Sequence, residues 1–137
     1  MKTRSALKCL LVLFLFAGMG CKETIQDPTF TIGKEANFRI NQLYTSSDGR
    51  CTLLINEISD SRCPEGVECF WQGEVSLKGE WSVNKSKTSI ELHSVITNME
   101  KQPDGFTIRI VDARPYPKTG TEIRPENSVV TLLIQKN

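Results

Sequence analysis

The residues best suited to chemistry crowd into one stretch, Asp60-Ser61-Arg62-Cys63-Pro64-Glu65-Gly66-Val67-Glu68-Cys69-Phe70-Trp71-Gln72-Gly73-Glu74. It holds four carboxylates, an Arg, two Cys and two adjacent aromatics. Three roles fit those residue types. In the first, a loop stapled by its two Cys presents Arg62, Phe70 and Trp71 to a ligand, because aromatics and Arg dominate binding hot spots. In the second, the stretch is structural: Trp71 packs over the staple and Arg62 pairs with Asp60 or Glu74. In the third, Asp60, Glu65, Glu68 and Glu74 hold calcium, which takes clustered carboxylate oxygens. No EF-hand or tandem-Asp pattern is present, so no metal and no cofactor is assigned.

Catalysis has little to work with. His93 is the single His of the chain. In the strand expected over Lys87–Val95 it falls out of phase with Ile90 and Leu92, on the wet face beside Glu91. A Ser-His-Asp set needs it as base, yet no G-x-S-x-G elbow supplies the Ser. A Cys51–His93 pair is conceivable on neighbouring strands, but a thiol in an apolar strand is normally inert. There is no P-loop and no G-x-G-x-x-G turn, and the sequence places no carboxylate pair at glycosidase separation. The expectation is a protein that is not an enzyme.

The five Cys divide by position. Cys9 lies in an N-terminal apolar run and Cys21 just beyond it. That leaves Cys51, Cys63 and Cys69, an odd number for an oxidising compartment. Pro64 and Gly66 favour a chain reversal that brings Cys63 to Cys69. Closing so small a loop is worth roughly 2.4 kcal/mol by chain entropy. The rival pairings are 51–63 and 51–69. Cys51 opens an apolar run and reads as a small buried hydrophobe. Zinc is disfavoured by the Cys spacing and the lone His.

The N-terminus indicates where the protein resides. Lys2, Arg4 and Lys8 form a basic region, Cys9–Ala17 is apolar, and Gly18-Met19-Gly20 is a small-residue cleavage region. This is the layout of a secretory signal peptide over residues 1–20, well short of the roughly 20 apolar residues of a membrane-spanning helix. The stretch Ala17-Gly18-Met19-Gly20-Cys21 resembles a bacterial lipobox, in Gly20 and Cys21 above all. Gly18 and Met19 depart from the usual pattern. The resemblance implies lipidation of Cys21, with residues 21–29 as anchor and tether. Lys22, where an Asp commonly retains such proteins in the inner membrane, implies the outer membrane. The whole chain carries 17 Lys+Arg against 16 Asp+Glu. Without residues 1–20 there are 14 bases against 16 acids, a net charge of −2. Nothing there favours nucleic acid.

Residues 30–137 alternate with period two. Phe30 and Ile32 precede Gly33, Phe38 and Ile40 fall within Glu35–Tyr44, and Cys51–Ile58 is a dense apolar run. Val75, Leu77, Gly79, Trp81 and Val83 alternate with Ser76, Lys78, Glu80 and Ser82, the cleanest pattern in the chain. Lys87–Val95, Phe106–Ile110 and Val129–Ile134 follow. About seven strands without a helix predict an all-β fold, a single antiparallel β-sandwich of immunoglobulin-like size, with a small β-barrel as the alternative.

The chemistry-bearing segment also resembles a motif of small bacterial secreted proteins and lipoproteins, D-S-R-C-P-x-x-V-x-C-x-W-x-G, matched at every fixed position from Asp60 to Gly73. Arg114-Pro115-Tyr116-Pro117 resembles a second stretch of the same proteins. The resemblance implies a domain type and no activity. Strand parity, counted over seven strands, places the loop around Cys63–Cys69 and the Pro-rich loop Ala113–Asn127 at opposite ends. It places Thr97–Gly105 beside the former. The expected protein is a non-catalytic, lipid-anchored cell-envelope domain whose partners are the membrane and an envelope protein. A secreted protease inhibitor using the Cys63–Cys69 loop is the alternative.

Overall fold

The computed structural model describes residues 28–95, 100–101 and 103–137. Residues 1–27, on which the expected signal peptide, Cys21 and most of the expected tether fall, lie outside the described residues. The fold is all-β: β1 (Thr29–Phe30), β2 (Glu35–Phe38), β3 (Leu43–Ser46), β4 (Cys51–Asp60), β5 (Val75–Val83), β6 (Ser86–His93), β7 (Glu100–Lys101), β8 (Phe106–Arg114) and β9 (Val129–Lys136). Two short 3-10 turns, Pro103–Gly105 and Pro125–Asn127, interrupt them. No helix among the described residues is long and apolar enough to cross a membrane.

Two sheets face each other without closing into a barrel. One has the order β1-β3-β4-β5-β6 and the other β2-β9-β8-β7. All pairings between these strands are antiparallel except β1 with β3, which is parallel. The inner faces supply the core. Trp81, Phe38, Leu53, Ile55, Leu77, Leu92, Ile108 and Leu132 are fully buried. Phe30 bridges the sheets, with its ring centroid 5.6 Å from Phe38 and 6.3 Å from Trp81. Trp81 in turn meets Phe106 edge-on at 5.4 Å. Such packing has the spacing at which aromatic pairs add to simple burial.

Bulges rescue the alternation where the sequence breaks it. In β4 the register slips between Ile55 and Glu57, so Cys51, Leu53 and Ile55 point inward and Ile58 does too. Opposite that bulge sits Gly79, where a Cβ would lie 2.4 Å from the Leu54 carbonyl oxygen. The close backbone approach is the reason a glycine occupies an inward position of β5. In β8 the slip falls between Ile110 and Asp112. It exposes Val111 and turns Ala113 back into the core, re-aiming Asp112 and Arg114 at the strand end.

The strand count differs from the sequence reading in two places. Glu35–Tyr44 is not one strand: β2 pairs with β9 in one sheet, and β3 pairs with β4 in the other. Thr97–Gly105 contains β7, whose two residues pair with Arg109 and Ile108. Two residues are too short to carry a period. Inserting that reversal between β6 and β8 changes the parity, so β4 and β8 finish at the same end. The Cys63–Cys69 and Pro-rich loops are therefore neighbours, which overturns the expectation that they lie apart. Of the segment Thr97–Gly105, residues 97–99 and 102 lie outside the described residues. Its last residues reach the other end, where the Gly105 carbonyl accepts from the Asn137 N–H.

Candidate functional site

The site is the loop between β4 and β5, and its base is closed by backbone. The Ser61 N–H donates to the Glu74 carbonyl at 2.8 Å, and the Glu74 N–H donates to Ser61 Oγ at 3.1 Å. Gly73 lies flat against this closure at φ +67. A Cβ there would fall within 2 Å of the Ser61 oxygen, so only glycine fits.

Cys63 and Cys69 are disulfide-bonded with Cα atoms 5.9 Å apart, inside the usual span. Between them Pro64–Val67 turns, with the Val67 N–H donating to the Pro64 carbonyl at 3.3 Å. Gly66 sits at φ +85 in the third position of that turn, as a type II turn requires. Cys51 is buried and free. Burial pushes its thiol pKa up, which keeps it a protonated, inert hydrophobe.

Arg62 welds this loop to the Pro-rich one. Its Nε donates to Asp60 Oδ1 at 2.9 Å and its Nη2 to Asp60 Oδ2 at 2.6 Å. The same Nη2 reaches the Ala113 carbonyl at 2.9 Å and the Pro115 carbonyl at 3.4 Å. The guanidinium plane also sits 4.4 Å from the Tyr116 ring centroid, within cation–π range. Hydrogen bonding to Asp60 raises its pKa still further. Both side chains of the pair are only 16% exposed, so Arg62 faces the protein rather than solvent. A second tie lies beyond it. The Glu65 N–H donates to the Pro117 carbonyl at 2.9 Å, and Thr119 Oγ1 donates to the Glu65 carbonyl at 3.2 Å.

The aromatics point the other way. Phe70 is 104% exposed, as open as in a free peptide, and Trp71 is 65% exposed. Trp71 is therefore mostly solvent-facing, not buried as a structural role would have it. Val67 and Tyr116 are also exposed large apolar side chains. Strand parity counted over seven strands sets Tyr116, with Arg114 and Arg124 in the Pro-rich loop, at the opposite end from Trp71; the structure instead brings the Tyr116 ring to Arg62 in the stapled loop.

The carboxylates disperse. Asp60 is committed to Arg62, Glu65 lies 3.5 Å from Lys118 Nζ, and Glu74 Oε1 lies 3.0 Å from His93 Nδ1. Among the described residues no group of three His, Cys, Asp or Glu side chains gathers as a metal site requires. His93 is half-buried and bonded to Glu74, with Glu91 at 3.7 Å on its other nitrogen. It is thus more engaged than the solvated imidazole expected. The arrangement is a loop tied by a disulfide and an Arg clamp, with two adjacent aromatic side chains exposed on it. No protein-family description, curated protein or solved structure matches the chain.

Proposed function

We propose that this is a non-catalytic contact domain, held at the outer membrane of a bacterial cell envelope by lipid on Cys21, that engages its target through Phe70 and Trp71. One observation carries the reading. Two adjacent aromatics stand exposed on a loop fixed by the Cys63–Cys69 disulfide and by the Arg62 clamp. Exposing them incurs a transfer penalty of about 1.5–3 kcal/mol each relative to burial, and a rigid scaffold lowers the entropy lost on binding.

A photo-crosslinking residue at position 70 in living cells tests the contact, with the same residue at exposed Val111 as control. Adducts from position 70 and none from 111 are expected. Equal yields from both positions end the reading. Replacing Cys21 by Ser tests the anchor and should move the protein to the soluble fraction.

A second reading has one observation behind it. The stapled, turn-containing Pro64–Val67 segment, with Val67 exposed, has the form of a protease-inhibitor loop. It predicts inhibition that is lost on reducing Cys63–Cys69, and inertness against a broad protease panel would remove it.

A further inference from the structure

The strand pairings fix the direction in which the chain runs through β1. β4 runs toward the Phe70–Trp71 tip, since Asp60 leads directly into the loop. β3 is antiparallel to β4, with Thr45 level with Thr52. β1 is parallel to β3, with Thr29 level with Thr45. The chain therefore enters β1 travelling away from the tip, and the Pro28 carbonyl already lies along this line, accepting from the Thr45 N–H at 3.1 Å. From the level of Thr52 to Asp60 is roughly 26 Å of strand. The chain from Cys21 to Thr29 spans at most about 26–29 Å. Fully extended, this chain brings a lipid on Cys21 to the level of Asp60, at the end of the sandwich from which the Phe70–Trp71 loop leaves.

Phe70 and Trp71 by themselves offer roughly 300–400 Å², about half of the ~800 Å² per partner of a stable protein–protein interface. Two protruding aromatics do suit a bilayer interface, where Trp rings settle at headgroup level and apolar rings below. Such a contact is weak alone. A tether that already holds the domain at the surface makes it intramolecular, and a second signal converts marginal attachment into stable attachment. Glu68, exposed between Val67 and Phe70, favours a zwitterionic surface over an anionic one.

We infer that Phe70 and Trp71 form a second membrane contact, resting in the interface of the bilayer in which Cys21 is anchored and holding the sandwich upright on that surface. This inference rests on the lipid-anchor reading.

The two Trp residues make it testable. Trp81 is fully buried in the core and Trp71 is exposed, so a Trp71→Phe variant supplies the Trp81 background. The lipidated protein is reconstituted into phosphatidylcholine vesicles with and without acyl-brominated lipid, and flotation is scored alongside fluorescence. The expected result is a vesicle-bound protein whose Trp71 emission falls about twofold with brominated lipid, while the Trp71→Phe variant is unaffected. Phe70→Ser should restore most of the lost emission without releasing the protein. A protein that floats, but whose Trp71 is quenched by aqueous acrylamide as readily as without vesicles, overturns the contact and leaves the tip free for a protein partner. A protein that fails to float overturns the anchor and the contact with it.

Discussion

The Arg62 guanidinium grips the Asp60 carboxylate at 2.6 Å while lying 4.4 Å over the Tyr116 ring, so one side chain joins two loops 51 residues and more apart in sequence. A bidentate, largely buried Arg pair is the kind of ion pair that counts, unlike a solvated one.

Arg62→Ala should therefore lower stability by about 2–3 kcal/mol, as Asp60 and two carbonyls lose their donor. Arg62→Lys should recover under half of that, because an ammonium lacks the planar fork. Urea melts measure both. A change below about 0.5 kcal/mol for Arg62→Ala would contradict the clamp.

Gly73→Ala and Gly66→Ala separate two costs of glycine. At Gly66 nothing lies within 4 Å of an added Cβ, so only the positive φ is penalised, by about 1 kcal/mol. At Gly73 the Cβ also collides with the Ser61 backbone, and a loss of about 3 kcal/mol or more is expected. Equal melting midpoints for the two variants would speak against the Ser61–Gly73 closure.

Phe70→Ser and Trp71→Ser should leave stability within about 0.5 kcal/mol of the parent, as befits surface side chains. Trp81→Ala, which empties the centre of the core, should cost about 3–5 kcal/mol. Should Trp71→Ser destabilise as Trp81→Ala does, the loop aromatics belong to the fold and not to a contact surface.

With residues 1–20 removed and Cys21 lipidated as proposed, thiol titration should find no reactive thiol in the native state and one, Cys51, after unfolding without reductant. Replacing Cys63 and Cys69 together by Ser should cost roughly 2.4 kcal/mol. Rapid native labelling of Cys51 would show that its burial is incomplete.

Asp48 anchors the turn between β3 and β4. Hydrogen bonds from Ser46 and Arg50 lower its carboxyl pKa from 3.8 to about 2. A carboxylate whose folded pKa lies below its unfolded one stabilises the fold above the unfolded value, and that stabilisation disappears as pH falls from 3.8 toward about 2. Asp48→Asn should thus melt earlier than the parent at pH 7 and match it near pH 2. Parallel melting curves with a constant gap across that range would rule this out.

The alternation of Val75–Val83 with its polar neighbours, the buried runs at Cys51 and Val129, and the Pro-Gly turn between Cys63 and Cys69 were legible one residue at a time. Each is a local property: period, composition or turn chemistry over fewer than a dozen residues. They determined the all-β class, the staple and the buried free thiol. The Arg62–Asp60 pair was legible too; only the tertiary structure decided that Trp71 faces outward, that Arg62 also clamps the Pro-rich loop, and that Tyr116 stands beside the stapled loop. Those depend on which end each strand reaches. The deciding element was β7, two residues whose pairing comes from the β8 edge and not from any pattern of their own. A strand that short is held by its neighbour's open hydrogen-bonding groups, and a sequence read along one dimension contains no record of them.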